Sequence, residues 1–242
     1  MRTLGLVAGL LLIGGCGDDG GGDGNPNTID GAPGSIDANT NAADASPNAP
    51  DARVGPDAMP NTAMTFFVTS TGNGDNGGNL GGLSGADAKC QELATNAGAG
   101  GRTWRAYLST ATPAVNAKDR IGSGPWTNQA GTMVAANLAG LHSNGVAGPL
   151  ILTELGAVVP SNPLDHDILT GSDSDGNVDE GGRTCDDWSA NSDAFGGMVG
   201  HADVAQEDLG GESWNSQHDP QCDVASLAAT AGTGRIYCFA ID

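Results

Sequence analysis

The sequence predicts one α+β domain beyond Met64, and three observations carry that prediction. Runs of β-branched and aromatic residues stand at both ends of this part, Thr65-Phe66-Phe67-Val68-Thr69-Ser70 first and Ile236-Tyr237-Cys238-Phe239-Ala240-Ile241 last, as strands require. Between them, Ser84 to Gly98 carries an apolar face at helical spacing. The remainder is loop-like: 40 glycines in 242 residues and only 4% aromatics leave few large anchors and call for stabilisation from elsewhere. Four of the five cysteines, all those beyond Met64, are available for that purpose.

Composition changes sharply near Met64, so the preceding residues cannot fold in the same way. Met1-Arg2 gives a positive start, Leu4 to Ile13 an apolar run too short to span a bilayer, and Gly14-Gly15 a small-residue cleavage site. Residues 1–15 therefore read as an export signal. The run Leu12-Ile13-Gly14-Gly15-Cys16 resembles the bacterial lipobox, which implies that Cys16 carries lipid and anchors the chain in a bacterial cell envelope, at the outer membrane or the cell surface. An ordinary secretory signal is the competing reading. Each buried methylene of such an anchor contributes about 0.8 kcal/mol, so several acyl chains hold a protein stably.

Residues 16–63 are Gly, Asp, Asn, Ala and Pro with almost no large apolar side chain, and cannot offset the entropy of ordering. They read as an acidic, disordered tether. Asp23, Asp30, Asp37, Asp44 and Asp51 recur at seven-residue intervals, yet no apolar seam accompanies them and prolines interrupt the stretch, so a self-repelling repeat fits better than a coiled coil or a calcium loop. The whole chain has a formal charge of -20 and only nine Lys and Arg. That excludes nucleic acid as a partner class, because phosphate binding needs clustered cations.

Residues 64–242 form the folded domain. After the first strand, the Gly/Asn-rich stretch Thr71 to Leu83 is a loop. Ser84 with Asp87 three residues on predicts a capped helix start, and Ala86, Cys90, Leu93, Ala94 and Ala97 share the face that enters the core before the helix stops at Gly98. Thr103 to Ser109 alternates with Trp104, Ala106 and Leu108 on one side, a half-buried strand predicted to pair with the last one. Four cysteines permit three connectivities, which spacing alone leaves open. Neither a structural zinc motif nor its ligand spacing is present among them.

Several fragments taken together resemble a known family: Gly85-Ala86-Asp87-Ala88-Lys89-Cys90, Trp104-Arg105-Ala106-Tyr107-Leu108-Ser109, Asp119-Arg120-Ile121, Leu169-Thr170-Gly171-Ser172-Asp173, Thr184-Cys185-Asp186-Asp187-Trp188 and Tyr237-Cys238-Phe239. Their order and spacing are similar to the endostatin domain of collagens and its bacterial relatives, which share a C-type-lectin-like fold. The resemblance covers roughly Phe66 to the C-terminus. It implies a twisted antiparallel sheet with one or two helices and long loops, stapled by nested disulfides, Cys90 to Cys238 and Cys185 to Cys222. The zinc-binding histidines at the processed start of endostatin have no counterpart around Thr65 to Asn79. Its heparin-binding arginine surface is also unmatched, Arg102, Arg105 and Arg120 surviving amid a strongly acidic chain.

The stretch before Cys185 places Asp173, Asp175, Asn177, Asp179 and Glu180 in one loop, a hard-oxygen set of the kind Ca2+ takes. It is not an EF-hand, because its glycine and acidic spacing differ. Sugar-binding C-type lectins are a closer comparison: Asp175-Gly176-Asn177 lies where their Glu-Pro-Asn motif lies, and Trp214-Asn215-Ser216 where their Trp-Asn-Asp motif lies, which adds Asn215 to the candidate calcium set. Gly176 and Ser216 depart from those motifs. The competing reading makes Gly171-Ser172-Asp173 and Asp175-Gly176 hydrogen-bonded turns. His142, His166, His201 and His218 lack paired metal spacing, although the last three each adjoin a carboxylate. Glu154, Glu207, Asp208 and Glu212 are the carboxylates a hydrolase would draw on, but no nucleophile, nucleotide or metalloprotease motif accompanies them. Trp126, Trp188 and Trp214 are either stacking surfaces for sugars or core. The expectation is a cell-envelope lipoprotein displaying a non-catalytic domain that binds an extracellular glycan or protein, the alternatives being a structural or adhesive protein and, behind it, a hydrolase.

Overall fold

The apolar run at the C-terminus is the hub of the sheet. The computed structural model describes residues 61, 63–143, 145–204 and 213–242, all within one unit, residues Pro50–Asp242. The export signal, Cys16, nearly all of the tether, and Glu207, Asp208 and Glu212 lie outside the described residues. In chain order come β1 (Phe66–Val68), helix α1 (Gly82–Asn96), β2 (Trp104–Ala106), the hairpin of β3 (Thr110–Ala111) and β4 (Ala114–Val115), and the hairpin of β5 (Trp126–Thr127) and β6 (Met133–Ala135). Helix α2 (Leu138–Ser143), β7 (Asp167–Leu169), β8 (Val199–His201), a short helix Val224–Ala229 and β9 (Gly232–Ala240) complete the order. No described helix is long and apolar enough to cross a membrane.

β9 pairs antiparallel with β1 along one edge, Phe67 opposite Cys238, and with β2 on the other, Ala106 also opposite Cys238. Its first half continues that second edge by pairing parallel with β7, which in turn holds β8 antiparallel. The sheet is therefore mixed, which corrects the antiparallel expectation. A parallel neighbour needs a long crossover, and the connection through β8, the cysteine loops and helix Val224–Ala229 supplies one. The described residues also hold three right-handed α-helices, besides short 3-10 turns, where one or two helices were expected.

Both faces of β9 are buried. Ile236, Cys238 and Ala240 enter one core with Phe67, Trp104, Ala106, Leu108 and the α1 residues Ala86, Cys90 and Ala94. Tyr237 and Phe239 enter the other with Phe66, Ile121, Trp126, Leu141, Ile151 and Trp214. The alternation of one strand thus seeds two cores. Phe239 is central to the second, its ring 4.8 Å from Phe66 and edge-on to Trp126 at 5.3 Å.

Helix α1 begins at Gly82, two residues before the predicted start, behind a left-handed Gly81 with no side-chain cap. Asp87 has other work: it accepts the Ala106 amide at 2.9 Å and both of its oxygens receive Arg120 at 2.8 Å, tying helix to strand. A side-chain cap stands instead at Asp223, which accepts the amides of Ala225 and Ser226. The disulfides are Cys90–Cys238 and Cys185–Cys222, with Cα separations of 5.5 and 5.6 Å. They are the pairs the resemblance implies, and they suit an extracytoplasmic, oxidising compartment.

Two measurements check this account. Phe239→Ala empties the centre of the second core and is expected to lower stability by about 3–5 kcal/mol in urea unfolding. Replacing Cys90 and Cys238 together by serine is expected to lower it by about 2–4 kcal/mol.

Candidate functional site

The acidic loop folds onto itself. Asp173 accepts the Asn177 amide at 2.8 Å and its side-chain Nδ2 at 3.0 Å, while the Asp173 amide donates to the Asn177 carbonyl at 2.9 Å. Asn215 is buried and turns its Nδ2 to the Tyr107 hydroxyl at 2.9 Å and the Asp173 carbonyl at 3.0 Å, while its Oδ1 accepts from Ser213. Asp179 is buried against Arg183, whose Nε and Nη2 each lie 2.6 Å from it. Burial opposes its charge, but the Arg183 guanidinium and the amides of Arg183 and Gly181 outweigh that and hold the carboxyl below its usual value. Asp175 and Glu180 face solvent. The structure brings Asp173, Asn177 and Asn215 together as hydrogen-bonded turns. Among the described His, Cys, Asp and Glu side chains the acids of this loop do not form a close group of three, whereas His166, Asp167 and His201 do.

Immediately after this loop the backbone does something the sequence gives no sign of. Cys185, Asp186, Asp187 and Trp188 have φ of 50, 53, 53 and 68°, forming one left-handed turn without a glycine. Each such L-residue costs about 1–2 kcal/mol, so the surroundings must over-determine it. They do: Cys185 is held by its disulfide, Trp188 donates Nε1 to the Ser109 carbonyl at 2.7 Å, and Asp187 accepts the amides of Ala111 and Thr112 at 2.6 and 3.1 Å. Between this turn, β3 and residues 194–196 runs a groove of about 320 Å3, lined by Thr112, Arg183, Thr184, Asp186, Asp187 and Phe195 among others. Arg183 crosses it from Asp179 to Asp219. Phe195 stands at 40% exposure.

The three tryptophans considered as sugar platforms, Trp126, Trp188 and Trp214, are all buried and fill core. Glu154 is buried and accepts both the amide and the hydroxyl of Ser70, a structural tie beside β1. His142 bonds the Leu138 carbonyl through Nδ1 and the Tyr107 hydroxyl through Nε2, each at 2.9 Å. Burial holds its imidazole below the ordinary histidine value. His166, His201 and His218, which are spread over the sequence without metal spacing, converge on Asp167. Only the sheet register puts them together, and the flanking carboxylates were the one sequence sign.

For the Arg183 clamp, Asp179→Asn is expected to lower stability by about 1–3 kcal/mol at neutral pH. Because the folded carboxyl titrates below its unfolded value of about 4, this stabilisation is complete above that pH and lost as pH falls through the folded value. The gap between parent and variant in urea unfolding should therefore close on acidification. Comparison of the chain with protein-family models and with curated proteins finds no match.

Proposed function

We propose that the chain is a lipid-anchored protein of the bacterial cell envelope whose domain has the C-type-lectin-like architecture of the endostatin relatives and binds a neutral extracellular glycan without catalysis. Phe195 carries this reading. Every other Phe, Trp and Tyr of an aromatic-poor chain is buried, whereas Phe195 stands exposed at the rim of a groove. An exposed aromatic face suits the apolar side of a sugar ring, and the carboxylate and guanidinium groups beside it suit ring hydroxyls. The strained turn that walls the groove is of the sort that collects at binding sites. The chain's strong negative charge disfavours acidic sugars.

Other features support the remaining parts. The lipobox-like run ending at Cys16 supports the anchor, the two nested disulfides support an oxidising compartment, and the order of the matching fragments supports the family fold. Of the carboxylates lining the groove, Asp187 is engaged by the amides of Ala111 and Thr112 and Asp186 meets the Ser189 hydroxyl, and no nucleophile motif accompanies them, which favours binding over hydrolysis.

The test is an array of neutral glycans probed with the full chain. Phe195→Ala is expected to weaken binding by about tenfold, equivalent to about 1.4 kcal/mol, with an unchanged melting temperature. Equal binding by parent and variant, or binding to protein ligands alone, would overturn the assignment.

A further inference from the structure

Away from the groove, at the opposite end of β7 from the acidic loop, three imidazoles surround one buried carboxylate oxygen. Nε2 of His201 and Nε2 of His218 each lie 3.3 Å from Asp167 Oδ1, and Nε2 of His166 lies 3.4 Å from it. The His201 and His218 Nε2 atoms are 3.1 Å apart. The sheet produces this convergence. Asp167 opens β7 directly opposite His201 at the end of β8, and His218 comes from a segment that bridges back to Val199, two residues from His201 on the same face. A register irregularity between Asp167 and Ile168 against β9 re-aims the start of β7. Gly200 lets the incoming segment approach, because a Cβ there would sit 1.9 Å from the Trp214 carbonyl oxygen.

The Asp167 side chain is 0% exposed, and neither of its oxygens accepts a hydrogen bond. A buried carboxylate in that condition is strongly unfavourable unless a cation accompanies it. Four-coordinate zinc with bonds of about 2.0–2.1 Å has ligand-to-ligand edges of about 3.3 Å, and the Asp167, His201 and His218 donor atoms already form a triangle with edges of 3.1 to 3.3 Å. The His166 ring is stacked on that of His201 at 4.2 Å, and one donor atom each of His166, Asp167 and His201 lie within 4.8 Å of one another. Its Nδ1 is 2.7 Å from Asp203 Oδ1, the carboxylate-histidine pairing that orients metal-binding imidazoles. In the tautomer that donates Nδ1–H to Asp203, Nε2 carries the lone pair that would ligate the ion.

We propose that His166, Asp167, His201 and His218 form a Zn2+ site, with Asp203 as its positioning residue. Nitrogen donors with a single carboxylate select zinc over Ca2+. Ligands drawn from β7, β8 and a third segment make the ion a structural clip. It joins β7, β8 and the Ser213 to Cys222 segment, the segment that the Cys185–Cys222 disulfide fastens at its far end.

The test uses the full chain stripped by chelator, then titrated with Zn2+ by calorimetry, with metal content counted by mass spectrometry. About one Zn2+ per chain is expected, together with a rise in melting temperature that Ca2+ does not reproduce. Asp167→Asn should abolish binding. His218→Gln replaces the most exposed ligand, at 35%, and should retain the fold while losing zinc affinity. Asp203→Asn should weaken binding by about 10–100-fold, and His142→Gln should leave it unchanged. Absence of zinc binding, binding indifferent to His218→Gln, or an equal response to Ca2+ would overturn the site.

Discussion

Burial of β9 on both faces is the constraint from which the rest of the architecture follows. A strand with cysteine and aliphatic side chains on one side and Tyr237 and Phe239 on the other cannot be left open to water on either. One face is covered economically by α1, whose small residues Ala86 and Ala94 let Cys90 reach Cys238. The other face has no comparable helix. Loops and short hairpins cover it, and they deliver their few aromatics, Trp126, Tyr107 and Trp214, to the ring of Phe239 or its neighbours.

Covering a core with loops requires that loop backbone be tied down, since unpaired buried amides are costly. Acidic side chains do much of that work here. Asp87, Asp173, Asp179, Asp187 and Glu154 all accept backbone amides. Carboxylates of this acidic domain thereby stand in for the backbone partners that a sheet or helix would supply. Asp165 is buried against the Thr233 hydroxyl and the Arg235 guanidinium instead, and Asp167 differs from them all. It is as buried as any of them and has histidines around it instead of amides.

The proposed glycan groove and the proposed zinc site occupy different parts of the domain and share one structural dependency, the Ser213 to Cys222 segment. Its Trp214 and Asn215 carbonyls receive the hydroxyls of Tyr237 and Thr170 at 2.9 and 2.6 Å, its His218 reaches Asp167, and its Cys222 holds the turn at Cys185. Asp219, from the same segment, braces Arg183 within the groove. A zinc clip on this segment would therefore stiffen one wall of the groove.

By itself the sequence determined the elements whose signal is local. The first and last strands, the inward face of α1 and the sharing of one face by Trp104, Ala106 and Leu108 are all written in periodicity. What the sequence left open was decided by tertiary structure, because it depends on which distant residues meet. The acidic loop has the composition of a calcium site, yet Arg183, Asn177 and Tyr107 supply partners that composition does not reveal. The parallel pairing of β7 with β9, the left-handed turn at Cys185 and the gathering of His166, His201 and His218 about Asp167 arise from register and chain crossing. Those are relations between segments up to tens of residues apart, and no local pattern encodes them.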